Sequence, residues 1–282
     1  MAKALFDIPS SDTGKGPIGF ILAEDLTGLS SCIRHHSRLG FENLFVIKRP
    51  DLELPESCAE LCDTIDIEDA FFSDVSPYLN RMIELCLNRW VYYCFNAEYL
   101  HFPFCETRAI TDLTDFATEE KRSSVFTYTI DLYADDLGKA KDGFSLEDAH
   151  FDGAGYYALQ RYIEGEAQDR QLDIYGGLKW RFEEHLPYQR RRLNRVGLFK
   201  PQAGLEMGED GYFNIGEYNT FSCPWHHNTT IAICSFRTAK SLKTNPGSMY
   251  EIDNFIWSKS VKFRWNSQQL MDHGFMEPGQ WF

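Results

Sequence analysis

Carboxylates standing just beyond apolar runs are the first residues of this chain that could do chemistry. Glu98 follows Trp90 to Phe95, an unbroken apolar and aromatic run, with Asn96 and Ala97 between. Glu24 and Asp25 stand in the same relation to the run Ile18 to Ala23. Ligands in open α/β sheets bind beyond the carboxyl ends of strands, which makes Glu98 a candidate for an acting group and Glu24 and Asp25 candidates for ligand contacts. Glu98 could equally cap a strand–loop junction. Lys179, Arg181 and the run Arg190 to Arg195 form a cationic set, and guanidinium forks grip phosphate oxygens bidentately. The same cations also read as a solvated basic face balancing the many Asp and Glu. Cys223, His226, His227 and Cys234 have the side chains zinc prefers, but their spacing fits no finger or ribbon, so a structural or ligand-contacting role is the reading adopted.

These groups need elements to hold them. The Trp90 run has no alternating polar residue, so both faces should be covered, as in a central strand of an α/β sheet. Ile18 to Ala23 is a shorter strand. Thr27 then caps a helix with Leu29, Cys32, Ile33 and His36 at helical spacing, Gly40 stops it, and Leu44 to Ile47 forms the next strand. Strand, helix, strand in this order predicts a right-handed crossover with parallel strands. Ser76 and Pro77 open a helix carrying Leu79, Met82, Ile83 and Cys86, which feeds the Trp90 strand. A helix over Thr111 to Lys121 and a strand over Val125 to Leu132 follow. Ala134 to Ala154 reads as a solvated, mobile loop or lid. Later signals are shorter: Gly176-Gly177, strands over Arg195 to Phe199 and Thr230 to Phe236, and a last helix over Ser248 to Phe255.

Phe95-Asn96-Ala97-Glu98-Tyr99-Leu100 resembles the D-x-D-E-F-L motif of the family 2-like nucleotide-sugar glycosyltransferases, in which a Trp-led strand precedes it. The Glu, the aromatic and the Leu match, whereas both aspartates are replaced. The first segment is similar to the start of the same family, with His35 or His36, Leu39, Gly40 and Phe41 matching its helix and L-G-F/V. The family's A-R-N-E lies near Leu22 to Asp25, and its D-N-x-S-x-D has become Lys48-Arg49-Pro50-Asp51. GGLKWRF from Gly176 to Phe182 resembles a Gly-Gly with arginines, Asp131 to Tyr133 a strand on the acceptor side, and Cys234 to Arg237 stands where the family has H-F-K.

The resemblance implies a GT-A-like fold, a Rossmann-type central sheet flanked by helices, with a mixed C-terminal half. With no repeat, low-complexity tract or clear linker in the sequence, one domain is expected over 1–282, with a nucleotide-binding half at 1–133 and an acceptor-side half at 134–282. The implied activity is transfer of a sugar from a nucleotide-sugar donor to a glycan or other hydroxyl acceptor, with catalytic divergence of the chain left open by the two replaced aspartates. Glu98 becomes the catalytic candidate, and Glu24, Asp25, Lys179, Arg181, Arg191 and Arg192 the nucleotide-binding set. Trp225, His226 and His227 become acceptor contacts. Two hard carboxylates would hold Mg²⁺ or Mn²⁺ against a diphosphate, and with both aspartates gone no metal ligand is assigned and no cofactor is expected. The opposing reading is a non-catalytic sugar- or partner-binding module on the same fold.

Whole-chain properties bound these readings. The 282 residues, 43% hydrophobic, suit a globular chain, and a formal charge of −14 with a pI near 5.0 argues against nucleic acid as a partner. No stretch reaches the roughly 20 apolar residues that span a bilayer. The N-terminus lacks a signal-peptide core and the eight cysteines contain no C-x-x-C pair, so free thiols and a cytoplasmic location are expected, with the oligomeric state left open.

Overall fold

The computed structural model describes residues 6–8, 14–68, 70 and 72–281. Most of the N-terminal stretch read for a leader, and Phe282 of the aromatic tail, lie outside them. The chain begins with β1 (Ile18–Leu22), α1 (Leu29–Arg38), β2 (Asn43–Lys48), β3 (Asp63–Asp66), α2 (Ser76–Leu85) and β4 (Val91–Phe95). β1 lies between β2 and β4, parallel to both, with Leu22 level with Ile47 on one side and Phe95 on the other.

Their apolar runs are continuous because each strand faces two cores. Ile18, Phe20 and Leu22 of β1 and Val91, Tyr93 and Phe95 of β4 pack with Leu79, Met82 and Ile83 of α2. The intervening Ile21, Tyr92 and Cys94 pack with Leu29, Cys32 and Ile33 of α1. Every residue of β1 and β4 is buried, which removes the polar alternation of a half-exposed strand. The helix start differs from expectation. Gly28, not Thr27, is the N-cap, at φ 66°, and a Cβ there would meet Phe144 at 2.7 Å and Ala97 at 3.0 Å.

Next come β5 (Glu98–His101), α3 (Ile110–Glu119), β6 (Ser124–Ala134), β7 (Ala149–Asp152), β8 (Tyr157–Ile163), β9 (Glu166–Tyr175), α4 (Gly177–Arg181), β10 (Asn194–Phe199), β11 (Ile231–Ser235), α5 (Arg237–Thr244), β12 (Ser260–Lys262) and α6 (Ser267–Asp272). The main sheet runs β12-β7-β6-β10-β4-β1-β2-β3, with β11 against β6 and β5 against β11. β10 is antiparallel to both β4 and β6. The protein is thus α/β, with a mixed central sheet flanked by helices.

Two expectations need correction. The stretch Ala134 to Ala154 is not loop throughout: it contains β7, and Phe144 packs on Phe236 with ring centroids 4.8 Å apart. The segment Ser248 to Phe255 is turn and irregular chain rather than a helix, and the Ser248 hydroxyl donates to Leu242 O, closing the end of α5 instead. Among the described residues no helix is long and apolar enough to cross a membrane.

Candidate functional site at the carboxyl ends of β1 and β4

The order of the sheet reverses at β1. From there the chain runs outward through β2 and β3 on one side and β4 lies on the other, the switch point beyond whose strand ends the crevice of an open α/β sheet forms. Asn96 staples them together. Its Oδ1 accepts from Glu24 N at 2.9 Å, and its Nδ2 donates to Asp25 Oδ1 at 2.8 Å and to Thr27 O at 3.0 Å. Asn96 is fully buried, so these bonds replace those that water would have given it.

Asn96 and Ala97, the latter at φ 58°, turn β4 directly into β5, which makes Glu98 the first residue of a strand rather than a loop side chain. Glu98 is 1% exposed. One oxygen accepts from Phe95 N at 2.9 Å and from Arg195 at 2.5 Å, and the other from Ser235 Oγ at 3.0 Å. Burial pushes this carboxyl up, but the charges of Arg195 and Arg237 and its hydrogen-bond donors outweigh it and hold the group below its ordinary value. Glu98 therefore has the geometry of a buried counter-ion positioning Arg195.

Arg237, at the start of α5, forks the Glu24 carboxylate at 2.6 and 2.9 Å and lies over the Phe95 ring at 3.4 Å. Lys240, one turn later, reaches Asp25 at 2.8 Å. Burial pushes the Asp25 carboxyl up, and Lys240, Thr27 and Asn96 more than reverse this. Beside the group, Ser235 lies level with Asp131 across the β11–β6 pair. Asp131 is 1% exposed; its Oδ2 accepts from Lys179 N at 3.3 Å while Oδ1 lacks a hydrogen-bond partner, with the Thr238 hydroxyl and the Lys179 charge as polar neighbours. Burial raises its pKa, and Lys179 opposes this only in part. The buried Tyr156 hydroxyl is also unpartnered, and Gly177 separates the two: a Cβ there would meet Asp131 Oδ2 at 2.9 Å and Tyr156 OH at 3.5 Å.

Glu24, Asp25, Glu98 and Lys179 are thus brought to one edge. The other expected cations are committed elsewhere. Arg181 holds the buried Asp152 at 2.8 Å, Arg191 pairs with Glu183 at 2.8 Å, and Arg192 donates to Asp210 O at 2.8 Å while lying over the Tyr212 ring. Trp225, His226 and His227 are not brought to this edge. They precede Ile231, which lies level with Thr127 near the start of β6, whereas Ser235 at the far end of β11 lies level with Asp131. His226 faces Glu120 at 3.3 Å and His227 faces Glu277 at 2.9 Å.

Metal chemistry finds little support in the side chains present. All eight cysteines are free thiols, and Cys234 is buried within β11. Among the described residues, Cys32, His36 and Cys94 form a group with ligand-like proximity. Cys32 lies 3.5 Å from His36 Nδ1 and Cys94 3.7 Å from Nε2, so the thiols face different ring nitrogens. Those nitrogens also meet Cys32 O at 2.8 Å and Tyr92 OH at 3.1 Å, which makes this a satisfied core network rather than a convergent site.

No family model and no curated protein matches the chain. The site must speak through its own chemistry. Sequence reasoning missed Arg237, Lys240, Asp131 and Tyr156, and one signal was present: Arg237 and Lys240 share a helix face directly after the strand ending at Ser235.

Proposed function

We propose that the chain is a glycosyltransferase-like protein of the GT-A type, which takes the diphosphate of a nucleotide-sugar donor on Arg237, Lys240 and Lys179 above the fixed Arg195–Glu98 pair and transfers the sugar to a hydroxyl acceptor. The observation that carries this reading is the convergence of Arg237 and Lys240 on the loop after β1, at the point where the strand order reverses. The antiparallel β10 between β4 and β6, and the motif resemblance around Glu98, lend it further support.

In the proposed step the acceptor hydroxyl gives its proton to the Asp131 carboxylate. Its oxygen bonds to the anomeric carbon as the bond from that carbon to the diphosphate oxygen breaks. The diphosphate leaves with the electron pair, and the Arg237 guanidinium and the Lys240 ammonium meet the charge that a divalent ion would otherwise neutralise. A carboxylate whose proton affinity is raised by burial suits the base role better than Glu98, whose oxygens are both engaged. Eight free thiols fit a reducing compartment, so a cytoplasmic location belongs to the same proposal.

One observation favours a non-catalytic sugar- or partner-binding module as the second reading. Glu24, Asp25 and Glu98 already neutralise Arg237, Lys240 and Arg195 pair by pair, so a diphosphate must displace carboxylates to bind. A thermal-shift screen of nucleoside diphosphates and nucleotide sugars, with a chelator present, separates the readings, since a ligand that binds only the folded chain raises its midpoint. A rise with one nucleotide is the expected result. No response to any of them, with or without Mn²⁺, excludes the transferase.

A further inference from the structure

A shelf of aromatic rings borders the corner that holds Asp131. Tyr157, Trp180 and Tyr188 are 46%, 44% and 66% exposed. Tyr157 stacks on Tyr175 with centroids 5.4 Å apart and planes 21° apart, and Tyr188 is a polar neighbour of Tyr175. A side chain on Gly155 would meet Trp180 at 3.4 Å and Trp257 at 3.8 Å, so these rings flank the loop leading to Tyr156. Trp257 is fixed in turn, its Nε1 donating to Asp152 Oδ1 at 2.7 Å. Ring faces outside, and the unpartnered Tyr156 hydroxyl and Asp131 Oδ1 inside, therefore meet at one short loop.

The two halves of this arrangement call for the same kind of molecule. Exposed ring faces pack against the apolar C–H face of a pyranose at little entropic cost, because few side-chain torsions are fixed. The ionised Asp131 Oδ1 can only accept, and Tyr156 OH both donates and accepts, so a sugar hydroxyl satisfies both. The shelf is made of rings, while the exposed Tyr162 and Ile163 stand at the far end of the hairpin and the exposed Leu159 two residues along β8 from Tyr157.

We propose that Tyr157, Trp180 and Tyr188 form the subsite for a neutral oligosaccharide, whose terminal hydroxyl reaches Asp131 and Tyr156. Calling this sugar the acceptor rests on the transferase reading; the binding itself does not. Both inner atoms are closed to solvent in the unliganded chain, so the hydroxyl reaches them as the glycine-rich loop 153–155 yields.

Calorimetry and tryptophan fluorescence with cellopentaose, maltopentaose, xylopentaose and chitopentaose, in the absence of nucleotide, test the subsite. One of these sugars is expected to bind, and Trp180→Ala and Tyr188→Ala are each expected to weaken it roughly tenfold, the scale of an aromatic anchor lost from an interface. Both rings are at the surface, so the unfolding midpoint should hold and a loss of binding is not a loss of fold. Binding by none of the sugars, or binding unchanged in both variants, overturns the proposal. A chain that binds sugar and ignores nucleotides keeps the subsite and loses the transferase.

Discussion

Arg237 grips Glu24 through two hydrogen bonds, 2.6 and 2.9 Å long, although 213 residues of chain separate them. The pair closes the β1–β4 crevice from the side of α5, and its partial exposure leaves it open to exchange with an anion. Arg195 and Glu98, just below, are almost wholly buried and have no such freedom. The site therefore has a fixed lower ion pair and an exchangeable upper one.

The lower pair should behave as a structural charge pair. Glu98→Gln leaves the Arg195 charge buried without its counter-ion, a situation that costs about 3–5 kcal/mol. Urea unfolding should show that loss. Adding Arg195→Met to the same chain should restore much of it, because the stranded charge goes too; a double variant no more stable than Glu98→Gln contradicts the assignment.

Acid should weaken the fold before the carboxylates titrate. Burial lowers His101 from 6.5 to about 4, and burial with the neighbouring His36 charge lowers His35 well below 6.5. Unfolded chains take up these protons near pH 6.5 and the folded chain does not, so stability falls as pH drops from 6.5 toward 4, by about 1.4 kcal/mol per unit for each histidine. His36, raised above 6.5, changes stability only above that window and adds no slope within it. Asp131, with its raised pKa, acts in the opposite sense, gaining a proton when folded before the unfolded chain does. Urea midpoints at pH 7 and pH 5 measure the net slope, and a flat profile would show that the histidines are not held neutral.

Asn96 decides whether the crevice can hold a metal. Asn96→Asp removes the donors to Asp25 and Thr27 and adds a carboxylate beside Asp25, so the variant should lose about 2–4 kcal/mol in a chelating buffer. Mn²⁺ should restore part of that in the variant and leave the wild-type melting temperature unchanged. A wild-type chain that Mn²⁺ stabilises to the same degree would mean that the native side chains already bind the ion.

What the sequence discloses depends on which force dominates each segment. β1, α1, β2, α2 and β4 are legible because buried strands and one-sided helices carry the pattern in their own residues, down to Leu29, Cys32, Ile33 and His36. β8 and β9 are not. Their exposed Tyr157, Leu159, Tyr162 and Ile163 give no period that marks a core face, since the hairpin pairs only with itself. The carboxylates of the site were legible as residues beyond strand ends. Their partners were not, because Arg237 and Lys240 reach them only through the placing of β11 beside β5 and β6. The dense run Arg190 to Arg195 drew attention by charge, yet of the run Arg195 alone enters the site.

The account stands or falls on whether the exchangeable pair accepts a diphosphate without a metal. Isothermal titration of uridine and guanosine diphosphate into the wild-type chain in a chelating buffer, repeated with Arg237→Ala and with Arg191→Ala, measures this directly. Binding of one of the two nucleotides is predicted. It should weaken roughly tenfold or more in Arg237→Ala, as for a charge-assisted phosphate contact, and remain unchanged in Arg191→Ala, whose guanidinium is held by Glu183. Binding of neither nucleotide, equal affinity in Arg237→Ala, or a tightening of more than about tenfold on adding Mn²⁺ would contradict it.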